Sequence, residues 1–318
     1  MVVQPPLSQL KRDAVRAGLL KWFEANRRDL PWRRTRDPYQ ILISEVMLQQ
    51  TQVDRVIPYF HAFLARFPTV QALAGAPTAD VITAWAGLGY NRRAVNLQRT
   101  ARYVVTELGG EFPADVTELM KLPGIGPYTS GAIACFAFEQ DVPFLDTNIR
   151  RVLHRVFVGV DAPKPVAKDA ELAAIARELI PPGDGWRWNQ ALIEFGALQC
   201  TARKPACIVC PLQTECNAFP EIQTAITRLP VGIRLKREAP FAGSNRFYRG
   251  RVVDVLRNSN QPDGISVERL GPLVRENFTD ADAPWLYELV RGLERDGLAM
   301  IAEAETGYDA GPRVKLPD

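Results

Sequence analysis

An all-α domain closed by a cysteine-rich loop, followed by a small α+β region of winged-helix type, is the fold class this sequence predicts. Three observations carry that prediction. From residue 9 to 199, apolar residues recur at helical spacing between Pro and Gly turns, and strand-like alternation is nearly absent. Four of the five cysteines, Cys200, Cys207, Cys210 and Cys216, fall within 17 residues. Beyond Cys216 the composition turns Pro-rich and basic, then gives three helical patterns and two short β-prone runs. A chain of 318 residues, 47% apolar, suits two domains, expected at 1–218 and 244–318 around a basic linker at 219–243.

The first helix is expected over Leu10–Asn26, where Leu10, Val15, Leu19 and Phe23 follow a 3.6-residue period until Pro31 interrupts. Further helices are expected at Pro38–Thr51, Val53–Ala65, Thr78–Gly87, Arg92–Leu108, Thr117–Lys121, Thr129–Phe138, Asn148–Val158, Ala167–Leu179 and Asn189–Leu198. In the C-terminal region the patterns are Arg246–Asn258, Val267–Glu276 with Ser266 as N-cap, and Pro284–Asp296 with Trp285, Leu289, Val290 and Leu293 on one face. A hairpin follows, from Leu298–Ala304 through a turn at Thr306–Pro312 to Arg313–Leu316.

The formal net charge of +3 excludes neither a nucleic-acid nor a small-molecule partner. The excess lies early: Met1 to Asn217 holds 25 basic and 21 acidic residues, the remainder 14 and 15. Between Arg228 and Arg257, eight basic residues face only Glu238 and Asp254. That stretch is placed to grip a duplex, to bind a partner, or to pack on the first domain. No run reaches the roughly 18 apolar residues of a membrane span, and Met1–Leu10 lacks the plan of a secretory signal. A soluble, cytoplasmic chain without a membrane partner is therefore expected. In a reducing compartment clustered cysteines read as metal ligands, and the spacing C-x6-C-x2-C-x5-C wraps one point, which suits a [4Fe–4S] cluster better than paired zinc knuckles. Cys135, in an apolar run, reads as a buried small hydrophobe.

Two further motifs stand out. In Leu122-Pro-Gly-Ile-Gly-Pro-Tyr-Thr129, Gly124 and Gly126 permit a tight turn with amides facing outward at a helix start, either as a plain turn or as a phosphate seat. Asp146, in Leu-Asp-Thr-Asn, precedes the next helix. It reads as an N-cap, or as a carboxylate whose pKa the helix start depresses, so that it stays ionised and able to stabilise a cation.

The order of hairpin LPGIGPYTSGAI (122–133), LDTN (145–148) and cysteine loop resembles the helix-hairpin-helix DNA glycosylase superfamily in its iron–sulfur branch. LPWR (30–33), DPYQILISEVMLQQTQV (37–53), PYF (58–60), RFPT (66–69), WAGLGY (85–90), RRAVNL (92–97) and WNQALIEFGALQCTARKPAC (188–207) resemble the adenine DNA glycosylase family in particular. The resemblance covers about residues 15 to 218. It implies a catalytic domain that flips adenine out of double-stranded DNA and hydrolyses its glycosidic bond in base excision repair.

Such chemistry needs an acid to protonate the leaving base and a carboxylate to stabilise the oxocarbenium-like sugar. The resemblance assigns the acid, acting at adenine N7, to Glu45 in an apolar helix where burial would keep it protonated. Asp146 takes the electrostatic or nucleophilic role, with Asn148 and Tyr128 beside it. Tyr128 stands where bifunctional relatives carry a lysine, and a phenol forms no Schiff base, so base removal without efficient lyase activity is expected. By the same resemblance Gln49, Gln50, Leu88 and Tyr90 fill the vacated stack and contact the opposite strand. Trp32 and Arg33 line the adenine pocket. Arg150, Arg151, Arg203 and Lys204 meet phosphates, and the cysteines at 200, 207, 210 and 216 hold the cluster. A monomer is expected.

The sequence departs from the family in two places. Most members carry a β-rich second domain that reads 8-oxoguanine with a Ser/His loop, whereas here the last 100 residues look helical, and the only histidines are His61 and His154. Asn91 replaces the usual second tyrosine after GLGY. A thymine or uracil mismatch glycosylase and a non-catalytic DNA-binding module are the rival readings. Glu45 and the QQTQV run speak for adenine, and the presence of both carboxylates speaks for catalysis.

Overall fold

The computed structural model describes residues 8–228, 241–259, 261, 263–302 and 312–318. The helices, in chain order, are α1 (Gln9–Asn26), α2 (Pro38–Leu48), α3 (Val53–Arg66), α4 (Val70–Gly75), α5 (Thr78–Ala84), α6 (Arg92–Glu107), α7 (Val116–Leu119) and α8 (Pro127–Phe138). They continue with α9 (Thr147–Leu153), α10 (Asp169–Leu179), α11 (Gly185–Leu198), α12 (Glu221–Arg228), α13 (Asn245–Arg257), α14 (Val267–Val274) and α15 (Ala283–Arg295). Strands β1 (Ile265–Ser266), β2 (Met300–Ala302) and β3 (Arg313–Lys315) complete the described elements.

Local chemistry sets the helix starts. Ser8 accepts a hydrogen bond from the Lys11 N–H and opens α1, which buries Val15, Leu19 and Phe23 on one stripe. Pro127 occupies the first turn of α8, where its missing N–H has no role to lose. That helix is buried continuously from Thr129 to Phe136, so it shows little amphipathic period. Helix α9 gives way to a π-turn at His154–Val158, whereas the sequence suggested one helix to Val158. Helix α4, capped by Thr69, and α12, inside the expected linker, were not expected from the pattern, because eight residues or fewer give too few turns for a period to show.

Contacts divide the chain into two units. The first comprises the described residues of Met1–Leu42, Pro113–Met120 and Ile125–Ile233, and the second those of Ile43–Phe112, Lys121–Gly124 and Arg234–Asp318. The second unit has a continuous core in which Ile82 of α5 and Val95 of α6 pack with Val252, Val253 and Leu256 of α13 and with Leu286, Val290 and Leu293 of α15. The C-terminal helices thus share a core with α5 and α6. Arg257 reinforces this by donating to the Ile82 carbonyl and to Asn91 Oδ1, and the Ala79 N–H donates to the Pro317 carbonyl.

The C-terminal region is a small α+β one, as expected: among the described residues it has three helices and an antiparallel sheet in the order β1-β3-β2, with Ile265 opposite Val314 and Ile301 opposite Val314 on its other side. β1 is two residues long and carries no sequence pattern. Ser266 occupies the N-cap position of α14 but makes no side-chain capping bond. The turn expected at Thr306–Pro312 falls almost wholly outside the described residues.

Candidate active site

Asp146 opens α9. Its Oδ1 accepts the Ile149 N–H at 2.6 Å, and its Oδ2 accepts the Asn148 side-chain amide at 2.9 Å. The N-cap reading is therefore correct, and it coexists with a chemical one. Burial raises the Asp146 pKa above the ordinary carboxylate value, against the opposing effect of those hydrogen bonds and of the Arg151 charge. This corrects the expectation of a depressed value: a helix start favours the anion, but desolvation outweighs it. Asn148 is held from behind, its Oδ1 accepting from Arg151 Nη2 at 2.7 Å. Arg151 also donates to the carbonyls of Gly196 at 2.6 Å and Cys200 at 2.7 Å. A side chain at Gly196 would bring its Cβ within 2.6 Å of Asn148 Cβ, so α9 and α11 approach closely only because that position is glycine. Tyr128, in the first turn of α8, sets its ring edge-on to Phe144 at 5.6 Å.

The first unit also holds Trp32 and Arg33, in a short 3-10 turn at Pro31–Arg34. Both are buried. Arg33 is tied down: it donates to Gln190 Oε1 at 2.8 Å and Glu194 Oε2 at 2.9 Å, and Arg28 reaches the same carboxylate at 2.8 Å. Burial pushes the Glu194 carboxyl up, but the hydrogen bonds of Arg28 and Arg33 prevail and hold it at about 2. The sequence reading missed Glu194. The signal was available, since a lone carboxylate in the apolar helix α11 is the same feature that marked Glu45.

Glu45 belongs to the second unit. It lies on α2 among the buried Ile41, Leu42, Ile43, Val46 and Met47, itself only 4% exposed. Just beyond α2, Gln49 and Gln50 are exposed, and Gln50 takes a left-handed φ of 57°. In the GLGY turn, Tyr90 likewise has φ 46° and is 49% exposed, whereas Leu88 is buried at 6% and packs inward. Of the four residues expected to enter a base stack, three are presented at the surface and Leu88 is not. Gly87 must be glycine, with φ 88° and a notional Cβ 2.2 Å from the Tyr59 hydroxyl.

One side chain ties both turns together. Arg93 donates to the carbonyls of Val46 and Gln49 at 2.7 Å, Met47 at 3.1 Å, Leu88 at 3.1 Å and Gly89 at 3.2 Å. Two adjacent arginines in RRAVNL gave no hint of which would turn inward.

Gly124, at φ 78°, has no room for a Cβ, which would lie 2.9 Å from Asn96 Cβ, and Gly126 is the N-cap residue of α8. Arg150 makes a two-pronged pair with Asp169 at 2.8 and 2.7 Å, so it is already partnered where a free phosphate ligand was expected. Arg203 and Lys204 are exposed.

Cys200, Cys207, Cys210 and Cys216 form no disulfide and line one cavity with Phe195, Leu212 and Ile222. Their loop is sewn to the π-turn: Arg155 donates to the Thr201 carbonyl at 2.7 Å and sits 3.7 Å from Cys200 Sγ, and the Ala218 N–H returns to the Arg155 carbonyl. Burial pushes the Cys200, Cys207 and Cys210 thiols up, the last to about 12, which leaves them as thiolates only against a cationic partner. Among the described residues no three His, Cys, Asp or Glu side chains are placed to hold a single metal ion. Four thiols around one apolar cavity are nonetheless the donor set that an iron–sulfur cluster takes.

A partly buried helix-capping carboxylate, a hairpin of glycines and a cysteine loop on an all-helical frame define the class, and residues 43–182 match the family model of the HhH-GPD superfamily base excision DNA repair proteins. Within that class, an adenine DNA glycosylase of Mycolicibacterium smegmatis is 41% identical over 298 residues, which is 92% of this chain and 98% of the relative. The human adenine DNA glycosylase is 43% identical over 220 residues, 66% of this chain and 40% of its own length. The chain belongs to the adenine DNA glycosylase family. Among solved structures, a thermostable thymine-DNA glycosylase superposes with a TM-score of 0.62 at 32% identity, covering 67% of this chain and 98% of that one. An endonuclease III trapped on DNA superposes at 0.58 with 25% identity, covering 66% and 96%. Among the described residues no helix is long and apolar enough to cross a membrane.

Proposed function

We propose that the chain hydrolyses the N-glycosidic bond of adenine mispaired with 8-oxoguanine or guanine in double-stranded DNA. The observation that carries this reading is the Asp146 carboxylate, partly buried and held by the Ile149 N–H and the Asn148 amide. Placed against an extruded sugar, it would offset the positive charge that develops as the base leaves. Glu45 is the acid that protonates adenine N7 and then helps activate water. Tyr128 accompanies Asp146 in this reading and gives no Schiff base, so the product is an abasic site in an unbroken strand.

The four cysteines would hold a [4Fe–4S] cluster, whose chemistry here is to fix a DNA-facing loop that presents Arg203 and Lys204 to phosphates. The chain works as a monomer, in the cytoplasm on nucleoid DNA. The likeness to a thymine-DNA glycosylase supports one rival, excision of thymine or uracil opposite guanine. Duplexes with A·8-oxoG, A·G, G·T and G·U, incubated with the protein and then treated with alkali, separate the readings in one gel. Alkali-dependent breaks in the adenine duplexes are expected, and breaks confined to G·T or G·U would overturn the assignment.

A further inference from the structure

Beside the GLGY turn, the second unit opens into a cavity of about 640 Å³ that no step of the excision chemistry uses. Its walls come from the turn, from the start of α6 and from α13. Tyr90 and Phe241 are both about half exposed, at 49% and 55%. The Arg246 guanidinium lies over both rings, 5.8 Å from the Tyr90 centroid and 5.1 Å from that of Phe241. Arg92 and Arg249 also line the cavity and share one carboxylate, Asp296. Cations therefore outnumber anions on its wall, and one of the exposed ones, Arg246, is already seated against two aromatic rings.

We propose that this cavity binds one nucleotide of the DNA, its base stacked on Tyr90 or Phe241 and its phosphate paired with Arg246. The inference rests on the glycosylase reading above and adds a DNA contact from the C-terminal region. Aromatic faces with an interleaved guanidinium accept any base, because every base has a π-face, and the cation tracks the backbone. The site is also prepaid in rigidity: Arg257 pins α13 to α5 and to Asn91, the residue that follows Tyr90. Ser244, the N-cap of α13, donates through both its N–H and its hydroxyl to the Phe241 carbonyl, so Phe241 is tied to the start of the helix that carries Arg246, and binding orders little new structure.

The test uses the full chain and a duplex bearing a non-hydrolysable 2′-fluoro adenosine opposite 8-oxoguanine, with affinity measured across a salt series. Arg246→Ala should weaken binding about tenfold and lower the salt slope by about one. Phe241→Ala and Phe241→Leu should each weaken binding about tenfold with the slope unchanged, since they remove a stacking face and no charge. Both side chains are exposed, and thermal melts should match the parent chain. Arg177→Ala, on the exposed side of α10, should alter neither quantity. Parent-like affinity in the Arg246 and Phe241 variants overturns the site, as does an equal loss in Arg177→Ala. Excision of natural adenine mismatches by the parent chain, run in parallel, reports separately on the glycosylase reading.

Discussion

Arg151 Nη2 lies 2.7 Å from Asn148 Oδ1, and the Nε of the same guanidinium lies 2.7 Å from the carbonyl of Cys200. One side chain therefore supports the residue that positions Asp146 and anchors the first cysteine of the loop. Arg151→Ala should slow single-turnover excision by at least tenfold and lower stability by roughly 1–3 kcal/mol, the cost of leaving partly buried acceptors unpaired. Arg151→Lys should recover stability more than rate, because an ammonium cannot span both acceptors. Rapid-quench kinetics and thermal melts on both variants check the split.

Asp146→Asn retains a good N-cap and removes the charge. Because burial raises the folded-state pKa of Asp146, its ionisation opposes folding, and that opposition is felt as pH rises through the folded pKa. The variant should melt at the same temperature as the parent or slightly higher at pH 7, yet lose excision by about 10²-fold or more. In the parent, activity should fall on the acid side at a pH above the ordinary aspartate range, which a pH–rate profile under single-turnover conditions reads directly. A marked drop in stability with intact activity would contradict this account.

Glu194 works in the opposite sense. Its folded pKa of about 2 lies below the ordinary glutamate value, so its ionised form favours folding. That contribution is complete above the unfolded pKa and vanishes as pH falls from about 4.5 towards 2. Glu194→Gln leaves Arg28 and Arg33 short of a carboxylate and should cost roughly 3 kcal/mol at pH 7. Urea melts of parent and variant should converge as the pH is lowered through that window.

Arg93→Ala should loosen the turns at 47–52 and 87–91 together. Hydrogen exchange in both segments is expected to rise, while the rest of α6 stays protected. Affinity for a mismatch duplex should drop about tenfold, since Gln50 and Tyr90 would no longer be held in their left-handed conformations. Faster exchange in one turn only would show that the two are held independently.

The helical frame was legible because long amphipathic segments such as α1 and α6 bury one stripe each. Shorter pieces, α4 and β1, carry too few residues for periodicity and are fixed by their neighbours. At the site, motif residues were readable by type, but their partners were not. Nothing in the sequence says that Arg33 is neutralised by a glutamate 161 positions away, that Arg150 pairs with Asp169, or that Leu88 turns inward while Tyr90 turns out. Those outcomes depend on long-range packing, which local spacing does not encode. Charge state behaved similarly: the helix start at Asp146 suggested a low pKa, and the depth of the site reversed it.

The apolar seam joining Ile82 and Val95 to the C-terminal helices also bears on how this tail can change. A chain severed after residue 243 would bare that seam to water, so the fragment should be sticky and poorly folded rather than a minimal enzyme. For the same reason the tail cannot be exchanged for an unrelated module by recombination alone. Any replacement must bring its own apolar surface matched to α5 and α6, so the two halves of the chain are inherited as one object.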